Sequence, residues 1–431
     1  MAKNTDPNLQ NQIIYSIYVR SHTPEGTFSA VIPDLDRIRA LGTDIIWFMP
    51  IHPIGIKEKK GSLGCPYANR DYRTVNPCYG TMEDFRTLCD EIRSHGMKVM
   101  IDVVYNHTSP DSVLWETHPE FFYKRPDGTP GNHVGNWIDV IDLDYSVPEL
   151  WDYQIESLCG WAKIVDGFRC DVASIVPLDF WKRAREAVEQ VHPGFIWLAE
   201  SVHREFGAAL RASGFNCTRD TELFEAFDLE YEYDIRTVFD KLLKKEAPLS
   251  QWTDLLEFQE AVYPQNYNKM RFLENHDQPR IASFVKEEKD LVNYTSMLFF
   301  LKGATLLYAG QEWADPHRPS LFEKEDINRE TGSDLTALLQ KLARIKKDVL
   351  SPDDAFFAEA QNDTRTAVMT RKNGKSTKIG VFPLSSSTAS VRVDIPDGTY
   401  RNLIDNTIIE VNGHTLRTEG DPVIILAAAS L

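Results

Sequence analysis

The sequence of 431 residues has no long apolar run. No window approaches the roughly 18 uninterrupted apolar residues of a membrane-spanning helix, so no membrane span and no membrane partner are expected. The opening segment MAKNTDPNLQNQ is polar and has no apolar stretch of the kind that a secretory signal carries. The sequence therefore predicts a cytoplasmic protein.

The cysteines lack the CxxC spacing of a zinc site or a redox motif, and they are scattered along the chain. This pattern favours buried, reduced thiols over a disulfide framework. The six are Cys65, Cys78, Cys89, Cys159, Cys170 and Cys217.

Basic residues are in deficit, with 47 against 64 acidic residues and a net charge of −17. This balance argues against a nucleic acid or an anionic membrane as partner, and it suits a protein with a neutral ligand. The hydrophobic fraction of 42% and the aromatic fraction of 11% are typical of a well-packed globular protein. The length allows one large domain and a smaller one.

Strand-like and helix-like segments alternate over most of the chain. The clearest helix follows Thr81, where Asp84 completes a capping-box pattern, and it ends at Gly96. Near-continuous apolar strands between such helices predict a parallel sheet covered on both faces. The predicted strands are residues 13–20, 44–51, 98–107, 165–171, 194–200, 223–231, 270–277 and 303–310.

Eight parallel strands over about 300 residues indicate an α/β fold of the (β/α)8 TIM-barrel type. An open doubly wound sheet is the competing fold, but it would need a Gly-rich phosphate loop after its first strand, and the sequence has none. The barrel is predicted over residues 1–105 and 150–350, and an inserted B domain, rich in Pro, Gly and aromatics, over residues 106–149. Residues 351–431 are predicted to form an all-β sandwich, with hairpin turns at Asn373-Gly374, Asp397-Gly398 and Asn412-Gly413.

The segment GFRCDVAS places two charges in an apolar strand. Alternation along a strand predicts that Arg169 and Asp171 share one face, while Phe168, Cys170 and Val172 share the other. A charged pair of this kind is either a solvated edge or a functional site.

Further polar residues follow other predicted strands, where barrel enzymes keep their active sites. Alone, each of them has an ordinary structural explanation, such as a helix cap. Together, carboxylates around one arginine suit glycoside hydrolysis, in which one carboxyl is the acid and the other a base or nucleophile. Tyr67, Trp137 and Tyr105 are candidates for stacking on sugar rings. The polar residues are Asp102, Asn106, His107, Arg169, Asp171, Glu200, His276 and Asp277.

Four segments in this order, DVVYNH (102–107), GFRCDVAS (167–174), WLAES (197–201) and FLENHD (272–277), resemble the signature segments of the α-amylase family of glycoside hydrolases. CPYANRDYRTVNPCYGTMEDF (65–85) and LLYAGQE (306–312) resemble neighbouring parts of the same family. The resemblance covers nearly the whole chain, and it implies the barrel, the B domain and the C-terminal β-sandwich.

The resemblance also implies residue roles. Asp171 would be the nucleophile, Glu200 the general acid/base and Asp277 the third carboxylate, which binds sugar hydroxyls. The family retains anomeric configuration, so the carboxyl groups of Asp171 and Glu200 would lie about 5 Å apart. No cofactor would be needed for the chemistry. The substrate-binding residues would be Tyr67, His107, Arg169 and His276.

Two pairs of residues bear on the choice of substrate and on a metal site. Many starch-degrading members have Lys-His three and four residues after the nucleophile, whereas this chain has Ser174-Ile175, which favours short α-glucans. Asn106 and Asp142 resemble two ligands of a structural calcium, a thin set for an ion that takes six to eight oxygens.

The activity implied is hydrolysis of malto-oligosaccharides or starch-like α-glucans. A transglycosidase or isomerase of the same family and a non-catalytic barrel are the alternatives. The three acids at their motif positions argue against the non-catalytic barrel. The sequence leaves the oligomeric state open.

Overall fold

Eight parallel strands close into a barrel at the centre of the computed structural model, which describes residues 2, 5–134 and 137–428. The barrel closes because its first strand pairs with both the second and the last, which excludes an open doubly wound sheet and confirms the predicted fold class. The predicted B domain and C-terminal region each contain residues outside the described ranges. The barrel strands are β1 Ile13–Ile17, β2 Ile45–Phe48, β3 Lys98–Val103, β4 Gly167–Cys170, β5 Ile196–Ala199, β6 Leu229–Tyr231, β7 Lys269–Arg271 and β8 Ala304–Tyr308.

The barrel strands bury both faces, so their sequences are nearly continuous apolar runs. In β1, Ile14 packs inside the barrel with Trp47 and Met100, whereas Ile13 and Tyr15 pack outward against the surrounding helices. This alternation follows from the two-residue period of a strand.

Fourteen α-helices lie within the described residues, and none is long and apolar enough to cross a membrane. The predicted cap at Thr81 is confirmed, because its hydroxyl and the Asp84 carboxylate bond each other's backbone N–H. The helices are α1 Val19–His22, α2 Phe28–Val31, α3 Leu35–Ala40, α4 Met82–Ser94, α5 Val113–Thr117, α6 Pro148–Trp161, α7 Leu178–Val191, α8 Arg204–Ala212, α9 Asp220–Leu223, α10 Tyr233–Leu243, α11 Leu249–Val262, α12 Ile281–Phe284, α13 Glu288–Phe300 and α14 Thr336–Asp348. Short 3-10 helices cover Pro7–Asn11, Ile32–Asp34, Pro119–Phe121 and Gln311–Trp313.

Several strands are shorter than predicted. The predicted strand 270–277 ends at Arg271, because side chains then bond the backbone in place of a neighbouring strand. Asn275 accepts from the N–H groups of Asp277 and Gln278, and Glu274 accepts from the N–H of Ile281. The sequence FLENHD is therefore a loop at the barrel mouth. In the predicted strand 223–231, only the last three residues are β-structure.

The inserted segment after β3 is mostly irregular. A two-stranded antiparallel ribbon, His107–Thr108 with Ile141–Asp142, ties its ends together next to the barrel. Helix α5 and a 3-10 turn lie between the two ribbon strands. The ribbon brings residues of the insertion to the barrel mouth.

The C-terminal strands form two four-stranded sheets, in the orders β9-β10-β11-β16 and β12-β15-β14-β13. The hairpins at Asn373-Gly374 and Asn412-Gly413 are confirmed. The hairpin predicted at Asp397-Gly398 is wrong, because β12 and β13 do not pair. The Asp397 carboxylate instead accepts from the N–H groups of Gly413 and His414 and caps another turn. The strands are β9 Ala355–Gln361, β10 Thr366–Asn373, β11 Ser376–Pro383, β12 Ala389–Arg392, β13 Gly398–Arg401, β14 Ile408–Asn412, β15 Thr415–Thr418 and β16 Val423–Ala428.

Two buried basic side chains meet near the C-terminus of α13, and one of them, Arg371, joins these sheets to the barrel. Lys346 of α14 donates to the carbonyls of Leu301 and Gly303, at 3.2 and 2.8 Å. Arg371 of β10 donates to the carbonyl of Ser351 at 2.7 Å and reaches that of Phe300 at 3.4 Å. Carbonyls at a helix C-terminus carry partial negative charge, so cations are favourable there.

Candidate active site

A cavity of about 420 Å³ opens at the carboxyl ends of the barrel strands. Its volume lies in the range of small-molecule sites. Arg169 is completely buried beneath the cavity and does not line it. Six of the predicted site residues do line it, namely Tyr67, His107, Asp171, Glu200, His276 and Asp277.

Arg169 holds three carboxylates together. Its Nη1 donates to Asp102 Oδ1 and to Asp171 Oδ1, both at 2.8 Å. Its Nη2 lies 2.9 Å from Glu200 Oε1, in an ion-pair contact that lacks hydrogen-bond alignment. One guanidinium cannot neutralise three carboxylates, so one of the acids is favoured to hold a proton.

Glu200 is the acid best suited to hold that proton. Burial raises the pKa of its carboxyl well above the ordinary value, and the nearby charges of Asp171 and Asp277 raise it further. The charge of Arg169 acts in the opposite direction. Burial also raises the pKa of Asp102, to about 7, although Arg169 and the Tyr67 hydroxyl both donate to it.

The backbone at Val172 places a hydrogen-bond donor on Glu200. The prediction that Val172 shares the apolar face with Phe168 and Cys170 is wrong, because β4 ends at Cys170 and Val172 lines the cavity. Val172 has a φ of 37°, a conformation that is rare and costly for a β-branched residue. In this conformation its N–H donates to Glu200 Oε2 at 2.8 Å. Strained backbone of this kind is often found at functional sites.

Tyr67 and His276 form a stacked pair on another part of the cavity wall, with ring centroids 5.3 Å apart. Burial lowers the pKa of His276 to about 4, so its imidazole is neutral near pH 7. The single hydroxyl proton of Tyr67 serves Asp102, at 3.0 Å, so His276 donates its Nε2 proton to the Tyr67 oxygen at 2.7 Å. His276 Nδ1 then remains an acceptor, and it has no partner among the described residues.

The remaining predicted residues divide between the cavity and the core. His107 Nε2 lies 3.9 Å from Asp171 Oδ2, and Trp137 lines the cavity 5.4 Å from the His107 ring. Tyr105 does not line the cavity. It is buried in the core, where its ring stacks on Trp181.

An aromatic and apolar wall of the cavity, which the sequence patterns did not predict, follows Glu200. Val202, His203 and Phe206 line the cavity, and the Phe206 ring lies 6.4 Å from Trp137. His203 stacks on Tyr233, which also lines the cavity, at 4.3 Å. Val202, His203 and Phe206 closely follow Glu200 in the sequence, and this proximity is the signal from which their place in the cavity could have been predicted. Ser174 and Ile175 are buried behind this wall.

Asn106 and Asp142 lie in contact, but their surroundings do not fit a calcium ion. Asp142 Oδ2 accepts from the backbone N–H of His133 at 2.7 Å and lies 2.5 Å from His133 Nδ1. The Asn106 amide lies 3.4 Å from Asp142 Oδ1. These nitrogens take the positions around the carboxylate where a cation would lie. Within the described ranges, His, Cys, Asp and Glu side chains form no cluster of three arranged for a metal.

Residues 3–127 and 135–353 match the family described as "Alpha amylase, catalytic domain", and residues 357–425 match "Bacterial Alpha amylase C-terminal domain". An alpha-amylase from Lactobacillus plantarum has a similar solved structure, with 43% identity and a TM-score of 0.93 over 98% of this chain and 100% of that chain. The noncanonic maltogenic alpha-amylase AmyB from Thermotoga neapolitana has 31% identity and a TM-score of 0.87 over the same shares.

Two curated relatives match over part of their length. An alpha-1,4-glucan:maltose-1-phosphate maltosyltransferase of Pseudomonas aeruginosa is 34% identical over 44% of this chain and 32% of the relative. The alpha-amylase MalA of Haloarcula japonica is 26% identical over 72% of this chain and 45% of the relative. The chain thus spans less than half the length of either. The family model matches most of the chain, and the barrel of the chain carries buried acidic residues at its mouth. The chain therefore belongs to the α-amylase family of enzymes.

Proposed function

We propose that the protein is a retaining α-glucoside hydrolase that acts on malto-oligosaccharides and starch-like α-glucans. The observation that carries the proposal is the contact of one buried arginine, Arg169, with both Asp171 and Glu200 at the cavity. Asp171 accepts a hydrogen bond from Arg169, whereas the contact of Arg169 with Glu200 lacks hydrogen-bond alignment and burial raises the pKa of the Glu200 carboxyl, as the acid of a glycosidase requires.

In the first step, Asp171 Oδ2 attacks the anomeric carbon while Glu200 gives its proton to the departing glycosidic oxygen. The glycosidic bond breaks, and an ester forms between the sugar and Asp171. In the second step, Glu200, now ionised, takes a proton from water, and the resulting hydroxide equivalent displaces Asp171. Both carboxyl groups return to their starting states, and the two inversions give net retention.

The other residues of the cavity bind the sugar whose bond is cleaved. Tyr67 offers an aromatic face to the sugar, and His276, stacked on it, also lines the cavity. His107 beside Asp171 and Asp277 beside His276 supply further polar contacts. Asp102 acts through Arg169 and holds it in place.

A second candidate is transfer of the glycosyl group to another sugar. Val172, Val202 and Phe206 form an apolar wall next to Glu200, and such a wall favours a stacked sugar acceptor over water. The maltosyltransferase name of a partial relative points in the same direction. The two activities share every step up to the Asp171 ester.

The substitution Asp171→Asn tests the proposal. We expect kcat/KM for an activated aryl α-glucoside to fall by roughly four orders of magnitude or more, the scale of losing a nucleophile. Asp254→Asn on the exposed surface of α11 is the matched control and should keep wild-type rates. Undiminished activity of Asp171→Asn in a folded protein would remove the proposed nucleophile.

Products of maltotriose separate the two candidates. Glucose and maltose alone support hydrolysis, whereas oligomers longer than maltotriose establish transfer. NMR of the first product should show the α-anomer, and a β-anomer would contradict a retaining mechanism.

A further inference from the structure

An ion pair joins two walls of the cavity that come from distant parts of the chain. Lys60 lies in the loop after β2, and Asp139 lies in the inserted segment. Lys60 Nζ is 2.7 Å from Asp139 Oδ1, and both residues line the cavity. We call this pair the Lys60–Asp139 crossbar.

The surroundings of the crossbar keep it closed. The Asp139 side chain is only 4% exposed, and Lys60 is the cation paired with it among the described residues. Separating the pair would leave a buried carboxylate without a counter-charge, which is strongly unfavourable. The loop of Lys60 is itself fixed, because the N–H of Ser62 donates to Glu323 Oε1 at 2.8 Å and the N–H of Leu63 donates to the carbonyl of Phe322 at 3.0 Å.

The crossbar lies close to the reacting groups. Cys65 lines the same cavity, and burial raises the pKa of its thiol to about 12. The charges of Asp139, Lys60 and Asp171 all act on this thiol. Lys60, Cys65, Asp139 and Asp171 therefore line one continuous cavity.

We propose that the Lys60–Asp139 crossbar closes one end of the substrate cavity, so that the protein takes the ends of α-glucan chains and releases short oligosaccharides. This inference rests on the proposed function. The Lys60 ammonium donates to a hydroxyl of the terminal sugar, and the Asp139 carboxylate accepts from another, so the pair recognises a chain end by charge-assisted hydrogen bonds. An interior segment of a chain has no free end to place there and is excluded by the crossbar.

The test compares Lys60→Ala and Asp139→Asn with Lys57→Ala. Lys57 is exposed on the same loop, and among the described residues it forms no ion pair, so it controls for the loss of one positive charge. Each protein is given amylose, and the loss of iodine staining is plotted against reducing ends formed. Product lengths are resolved in parallel, and an aryl α-maltoside reports whether each protein has glycosidase activity.

Wild type and Lys57→Ala should form reducing ends with little loss of staining, because each cut removes a short piece from a chain end. Lys60→Ala and Asp139→Asn should lose roughly ten times more staining per bond cleaved, the scale of one specificity contact, and release longer products. Equal staining curves for Lys60→Ala and wild type would overturn the crossbar, as would rapid loss of staining by wild type. Failure of all variants and wild type to cleave the aryl α-maltoside would instead refute the proposed hydrolase. Activity of Lys60→Ala on that substrate shows that the variant is folded.

Discussion

The pKa of His276 predicts a specific loss of stability in acid. An unfolded histidine titrates near pH 6.5, whereas burial lowers the pKa of His276 to about 4 in the folded protein. Between these values the unfolded chain binds a proton at this residue and the folded chain does not. The free energy of unfolding therefore falls as the pH decreases from 6.5 to 4, and it is unaffected by this group at higher pH.

The size of the effect follows from the same two values. A gap of about 2.5 pH units corresponds to about 3.4 kcal/mol at 1.36 kcal/mol per unit, and about 2.5 kcal/mol of this is lost by pH 4.5. This loss is a large fraction of the stability of an ordinary protein, about 5–15 kcal/mol.

Urea unfolding of wild type and His276→Gln, measured between about pH 7.5 and pH 4.5, isolates this contribution. Glutamine cannot be protonated in this range, and the other titrating groups are the same in both proteins. Any advantage of wild type at neutral pH should shrink by about 2.5 kcal/mol toward pH 4.5. For His118→Gln, at an exposed position, the difference in free energy of unfolding from wild type should stay the same over this pH range. A constant difference between wild type and His276→Gln would refute the assignment of a neutral, buried imidazole.

Three further predictions concern the acid/base, the inserted segment and calcium. Glu200 must be protonated to act as the acid, so kcat/KM should fall as the pH rises through its raised pKa, and a rate profile that is flat from acid to alkaline pH would contradict this role. His133→Ala should lower the melting temperature by several degrees, because it removes a donor from the buried carboxylate of Asp142. Wild-type activity should be unchanged by EDTA, and a loss reversed by calcium would show that His133 does not take the place of the ion.

The barrel and its main acids were predictable because they depend on local patterns. Apolar strands alternate with helices, and polar residues such as Glu200 follow the strands at one end, so the strand order alone brings them together. Arg169 and Asp171 share a face because of the two-residue period of β4, and the N–H of Asp171, one residue past its end, still donates to the carbonyl of Val103.

Features that depend on contacts between distant segments were not predictable. The alternation that placed Val172 on the apolar face stops where its N–H bonds Glu200, from the next strand. Tyr105 is an aromatic residue of the type that stacks on sugar rings, but its ring packs against Trp181 of α7 in the core. The pairing of Lys60 with Asp139 depends on the contact between two irregular segments, and no periodic pattern in the sequence predicts that contact.

The basic side chains at the end of α13 affect how the protein unfolds. Lys346 and Arg371 reach the same helix terminus from the barrel side and from the C-terminal sheets. A chain cut after residue 350 would lose Arg371, together with the apolar cover that Phe356 and Phe382 give to the barrel. The truncated barrel would then expose the apolar surface that these two side chains cover in the full chain. We therefore expect the C-terminal sheets and the barrel to unfold in a single thermal transition, although they match two separate family descriptions.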